Sequence, residues 1–289
     1  MENVLIIGAR TLVGRRLRAA LLTAGWPEAA IWHSSRQPTG GQGLILNAAK
    51  PDAFAPERAF SHVIVCAPVW LISDALIRRL KALGMRRLIA FSSTSRLTKG
   101  DSDEAAERDV VAALIEGEAT VARACDAAGV AWTILRPTLI YDEGRDENVS
   151  RIARIIRKLG VFPLYGAASG LRQPVHARDL AAAAARALRS EASHGKTYNL
   201  PGGETLTYRE MVARIAKALR RPALLLAAPE GLWRFGFAVL SAVRRRPLKN
   251  NLQMARRMNV DLCFDEGEAA RDFGYKPRPF TPDFNGEAS

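Results

Sequence analysis

Cysteine and histidine are scarce in this chain of 289 residues, which has three of the first and four of the second. Cys66, Cys125 and Cys263 are odd in number and far apart, so the spacing excludes a disulfide framework and a cysteine zinc site and reads as reduced, mostly buried thiols. His33, His62, His176 and His194 are equally scattered, and no metal site is expected from them. Acid is also in deficit, with 29 Asp and Glu against 42 Lys and Arg, for a net charge of +13. A basic surface draws phosphorylated small molecules, anionic lipid and nucleic acid alike. Aromatic and basic residues are not interleaved, and neither helix-turn-helix nor zinc-finger spacing occurs, so no specific nucleic-acid partner is expected. No charged-then-apolar leader precedes the first apolar run, which places the protein in the cytoplasm as an expectation. Long apolar runs are missing too: the strongest, 229–243, falls short of the roughly 20 residues needed to span a bilayer. Followed by Arg244, Arg245 and Arg246, it reads either as a helix covering a substrate cleft or as an interfacial, lipid-facing helix. The first is preferred, because amphipathic segments mostly face a core.

What is present starts at 4–25. Val4, Leu5, Ile6 and Ile7 form a short branched run suited to a parallel strand covered on both faces. Gly8 breaks it, and from Thr11 the period becomes helical, with Leu12, Val13, Leu17, Ala20 and Leu21 on one face and Gly25 as the stop. The first N–H groups of such a helix lack internal partners and carry the positive end of its dipole, so a strand turning through glycine into a helix is a phosphate site. Further strands are expected at 30–33, 43–49, 62–68 and 87–91, with a crossover helix over 71–83. Strands and helices alternating at this interval predict an α/β fold, a Rossmann-type doubly wound parallel sheet with ligands beyond the carboxyl ends of the strands. The chain is divided into a nucleotide-binding domain over 1–165, with 171–200 returning to it, and a smaller C-terminal substrate region mostly over 166–289.

Gly8, Thr11 and Gly14 spell G-x-x-T-x-x-G, which resembles the G-x-x-G-x-x-G of extended and atypical short-chain dehydrogenase/reductases, with Thr11 in place of the second glycine. Its Cβ can crowd a pyrophosphate, or its hydroxyl can donate to one. Later segments carry the resemblance through the chain. Phe91 to Ser95 reads FSSTS, Leu135 to Tyr141 resembles the LRP-x-x-x-Y of nucleotide-sugar epimerases and dehydratases, Val175 to Leu180 their V-H-x-x-D-L, and Phe273 to Pro277 their closing L-G-Y-x-P. The resemblance implies a nicotinamide dinucleotide held by Gly8, Ala9, Arg10, Thr11, Leu12, Val13 and Gly14, by Ser35 and Arg36, by Cys66, Ala67 and Pro68, and by Ser92, Pro137 and Thr138. Where relatives that use NAD place an acid after the second strand, this chain has Ser34, Ser35 and Arg36, which favours NADP over NAD. Arg36 as a plain solvated loop residue is the competing reading.

In active members a Tyr, with a Lys four residues later on the helix after the fifth strand, moves the proton. Aligning back from Glu118 puts that pair at Val110 and Leu114, and no tyrosine occurs from 100 to 129. That helix is expected to be capped by Asp101 or Ser102, to pack Val110, Val111, Leu114 and Val121 inward, and to serve as a packing or dimer-forming element. Ser93 and Tyr141 are the remaining catalytic candidates, with Thr94, Arg172 and His176 as substrate contacts. Two functions follow: an NADP-dependent oxidoreductase or epimerase acting on a small anionic molecule such as a sugar nucleotide or related carbonyl compound, or a sensor or assembly protein that binds NADP without turnover.

Overall fold

The run Val4–Ile7 has no polar residue to show to water, and β1 (Val4–Ile7) is buried along its whole length. In the computed structural model, which describes residues 2–37, 41–221, 223–234 and 251–284, it lies in a seven-stranded parallel sheet. The other strands are β2 (Ile31–Ser35), β3 (Gly43–Ile45), β4 (His62–Val65), β5 (Arg87–Phe91), β6 (Ala131–Pro137) and β11 (Lys196–Leu200). Their order is β11-β6-β5-β4-β1-β2-β3. The chain runs outward from β1 to β3 and then crosses back to β4, so the order reverses between β1 and β4. In an open α/β sheet that reversal opens a crevice at the carboxyl ends of the strands.

Side chains alternate across the sheet. On one face Leu5, Ile7, Val63, Val65, Leu88 and Ala90 form a core with Leu76, Ile77 and Leu80 of α2 (Asp74–Ala82) and with Leu114, Val121 and Cys125 of α4 (Ala105–Ala128). On the other, α1 (Gly14–Thr23) packs against α6 (Ala177–Ala187), whose alanine-rich sequence lets two helices come close.

Several boundaries differ from the sequence reading, each for a local reason. The third strand ends at Ile45 instead of 49. Val69–Leu71 winds as a 3-10 turn, and the crossover helix starts at Asp74, where the Ser73 hydroxyl accepts from the Leu76 amide. Helix α4 starts at Ala105, not at 101 or 102: the Ser102 hydroxyl accepts from the Glu104 amide and donates to Glu107, so it fixes the approach to the helix instead of capping it. Val111, Leu114 and Val121 face inward as expected, but Val110 is 44% exposed.

The chain divides into two units. Unit 1 comprises 1–138, 177–201 and 264–277; unit 2 comprises 139–176, 202–263 and 278–289. The first segment of unit 1 runs to 138, and the helix Gly267–Phe273 returns to the sheet unit. Among the described residues unit 2 has three short strand pairs. β7 (Ile140–Tyr141) lies beside β10 (Val175–His176), β8 (Val161–Tyr165) beside β13 (Leu224–Ala228), and β9 (Leu171–Arg172) beside β12 (Leu206–Thr207). Around them α5 (Val149–Leu159) and α7 (Tyr208–Ala218) bury Ile152, Ile156, Met211, Val212 and Ile215. A capping box at Thr207 and Glu210 starts α7. Most of 229–243, and Arg244, Arg245 and Arg246, lie outside the described residues; of that stretch Trp233 is seen donating from Nε1 to the Leu164 carbonyl. Among the described residues no helix is long and apolar enough to cross a membrane.

Candidate active site

The turn between β1 and α1 is built to leave no room. Gly8 has φ +85°, and a Cβ there would stand 2.6 Å from the Ala67 amide nitrogen, while one at Gly14 would stand 2.2 Å from the Gly8 carbonyl oxygen. Both glycines are therefore required by close packing at the carboxyl ends of β1 and β4. Cys66 and Ala67 form the facing wall, with Pro68 next in the chain, and burial pushes the Cys66 thiol up, out of the range where it would act as a thiolate.

Thr11 settles the alternative that the sequence leaves open. Its hydroxyl donates to the Gly8 carbonyl at 2.9 Å and accepts from the Gly14 amide at 3.1 Å, so it closes the turn on itself. The Arg15 and Arg16 amides bond back to Thr11 and Val13. The amides of Leu12 and Val13 meet no acceptor among the described residues, and they are the donors a phosphate would find at this helix end.

Beside the turn, between α1 and the β2 strand, opens a cavity of about 780 Å³. Ala9, Arg10, Gly14, Arg15 and Arg18 line one side, and His33, Ser34 and Ser35 line the other. Arg15 Nε donates to the Arg10 carbonyl at 2.9 Å, which ties the two arginines together, and Arg18 pairs with Glu28. Ser35 falls where the sequence reading placed it. Arg36 is exposed and is not among the lining residues; among the described residues the cationic groups that line the cavity are Arg10, Arg15 and Arg18. Arg15 and Arg18 were readable from the sequence, being three apart on the helix that leaves the turn and hence on one side of it.

At the carboxyl ends of β5 and β6 a second cluster stands in unit 1. Glu118 of α4, 5% exposed, accepts from Ser92 Oγ at 2.6 Å and from Arg136 Nε at 2.9 Å, and Arg96 lies 3.2 Å away. This buried carboxylate joins helix α4 to the ends of both strands. Thr94 donates from its amide and its hydroxyl to the Pro137 carbonyl, both at 3.1 Å, so it fixes the loop. Thr138 continues from Pro137 and bonds to Leu200. Ser93 accepts from the Ser95 amide at 3.1 Å, which uses an oxygen lone pair and leaves the O–H hydrogen to donate.

Three expected site residues belong to unit 2. Tyr141 is 1% exposed, with its ring edge-on to His176 and Phe280 at about 5 Å. The ring expected to be catalytic is thus enclosed among core side chains. Arg172 donates to the carbonyls of Leu171, Val260 and Arg257 and lies over the Tyr208 ring, so its guanidinium is a strut inside the unit. His176 is buried and paired through Nε2 with Glu143 at 3.1 Å.

With this geometry in view, the comparisons are direct. Residues 4–200 match the NAD dependent epimerase/dehydratase family. A (4-alkanoyl-5-oxo-2,5-dihydrofuran-3-yl)methyl phosphate reductase of Streptomyces griseus is 28% identical over 226 residues, 76% of this chain and 74% of that one. Subunit 9 of the 1 alpha subcomplex of mitochondrial NADH dehydrogenase [ubiquinone] from Arabidopsis thaliana is 34% identical over 121 residues, which is 42% of this chain and 26% of that one. Among solved structures, the Thermus thermophilus UDP-glucose 4-epimerase complex with NAD superposes with a TM-score of 0.66 at 18% identity, over 95% of this chain and 94% of that one.

Proposed function

The chain belongs to the NAD dependent epimerase/dehydratase family, and from that premise we propose that it is an NADP-linked reductase of a phosphorylated or nucleotide-bearing carbonyl compound. The observation that carries this reading is the arginine-lined cavity beside the glycine turn. The amides of Leu12 and Val13 would hold the pyrophosphate, with Arg10 and Arg15 at the adenosine side to pair with a 2′-phosphate that NAD lacks. When bound, the cofactor supplies or accepts hydride at the substrate carbon. Ser93 donates its O–H to the substrate oxygen, and the proton that completes an alcohol reaches that oxygen from solvent through this hydroxyl. The Streptomyces reductase, whose named substrate carries a phosphate, supports a substrate of that class.

A second reading has its own support. Aligned from Glu118, Val110 and Leu114 take the places of the Tyr and Lys that would move the proton, and the similarity over 121 residues to a subunit of NADH dehydrogenase fits a part in an assembly. Calorimetric titration with NADP and NAD, followed by NADPH oxidation against phosphorylated keto compounds and keto sugar nucleotides, separates the two. Tighter binding of NADP with turnover is the expected result, binding without turnover selects the second reading, and failure to bind either dinucleotide removes both. In either case the apolar residues Val110 and Ile115, left exposed on α4, favour association of two copies through that helix.

A further inference from the structure

Two carboxylates and an imidazole meet in unit 2 although 32 residues separate Glu143 from His176 in sequence. The cause is the parallel pairing of β7 with β10, which sets His176 opposite Tyr141, so the two residues that follow Tyr141 fall beside the imidazole. His176 Nε2 stands 3.1 Å from Glu143 Oε2 and 3.9 Å from Asp142 Oδ1, and one donor atom from each residue lies within 4.8 Å of the other two. Asp142 and His176 are buried and Glu143 nearly so.

The arrangement is held from outside. Glu143 Oε1 accepts from the Asp283 amide at 3.3 Å, which turns Oε2 toward the imidazole. Asp146 accepts from the Asp142, Asn148 and Ser150 amides and from the Ser150 hydroxyl, and Ser150 in turn accepts from the Gly144 amide, so the loop carrying both carboxylates is framed. The His176 ring is set edge-on to Tyr141. Orientation of ligands by such outer partners is how metal sites are kept in shape.

Divalent ions sit about 2.0–2.2 Å from imidazole nitrogen and carboxylate oxygen, so donors sharing one ion lie roughly 3–4 Å apart. The two distances from His176 match that spacing.

We propose that Asp142, Glu143 and His176 form a divalent metal site, with one nitrogen and two oxygen donors, suited to a first-row ion such as Mn²⁺ or Zn²⁺ and open to solvent or a substrate oxygen in the remaining positions. The site lies within unit 2 and does not depend on the cofactor reading. The test uses the full chain freed of metal by a chelator and titrated with Mn²⁺ alone, reading the loss of the free-ion electron paramagnetic resonance signal. The expected result is one Mn²⁺ per chain, with affinity reduced more than about 10-fold in each of Asp142→Asn, Glu143→Gln and His176→Gln. Substitution by Co²⁺ should give visible bands without the near-ultraviolet charge transfer of a thiolate ligand. Variants whose circular dichroism departs from the parent are set aside in favour of Glu143→Gln, the residue of the three that is least enclosed. Absence of Mn²⁺ binding in the parent, or equal binding by parent and folded variants, overturns the proposal and leaves the cluster as a hydrogen-bonded ion pair.

Discussion

At the scale of single residues, the glycine turn makes the firmest demands. Gly14→Ala puts a methyl 2.2 Å from the Gly8 carbonyl, a clash of backbone with backbone that no rotamer relieves. The substitution should destabilise the protein by about 1–3 kcal/mol, read as a lowered melting temperature. Arg15 makes the more selective prediction. A charge-assisted hydrogen bond to phosphate contributes about 1.5–3 kcal/mol, so Arg15→Ala should weaken NADP by at least about 10-fold while moving NAD little, and calorimetry measures both. Arg36→Ala should change neither, since that side chain is exposed and does not line the cavity. The sequence pointed to cationic recognition of a 2′-phosphate but chose the arginine after β2. Nearness in sequence to the strand end favoured Arg36; the spacing of three puts Arg15 and Arg18 on one side of α1, and the fold shows that this side lines the cavity.

At the scale of elements, Glu118 is the joint between α4 and the strand ends. Removing one member of a buried charge pair leaves the other uncompensated, at a cost of about 3–5 kcal/mol. Glu118→Gln and Arg136→Gln should each be strongly destabilising, and the double variant should lose clearly less than their sum, as a double-mutant cycle in urea would measure. In unit 2 the Glu204–Arg214 pair offers a pH test. The Arg214 hydrogen bond is the largest influence on Glu204 and holds its carboxyl below the usual range against a smaller opposing effect of burial. A depressed folded-state value stabilises the fold above the unfolded carboxylate range and loses that contribution as pH falls through the folded one. Melting temperatures of the parent and Glu204→Gln should therefore differ at neutral pH and draw together as pH falls below the unfolded carboxylate range of about 4. Strand cores were legible because period and branching mark them, as in Val4–Ile7 and Arg87–Phe91. Helix starts were less so: Ser102 carries cap chemistry but applies it to the approach to α4, and Val110, apolar in sequence, faces outward.

At the scale of the whole molecule, what the sequence concealed is long-range. Tyr141, read as a catalytic phenol, is enclosed in the core of unit 2, Arg172, read as an anchor, holds three carbonyls, and His176, which looked solitary, lies against two carboxylates. Each depends on strand pairing or chain return that no local motif records. Association through α4 is checked by light scattering, which should give twice the 31.5 kDa chain mass, falling toward the monomer in Ile115→Glu. The central claim, that the opening turn and its arginine-lined cavity bind a nicotinamide dinucleotide, meets its most direct test in calorimetric titration of the full chain with NADPH. One molecule bound per chain, more tightly than NADH and with that preference lost in Arg15→Ala, is the predicted result; no heat from either dinucleotide at millimolar concentration would contradict it.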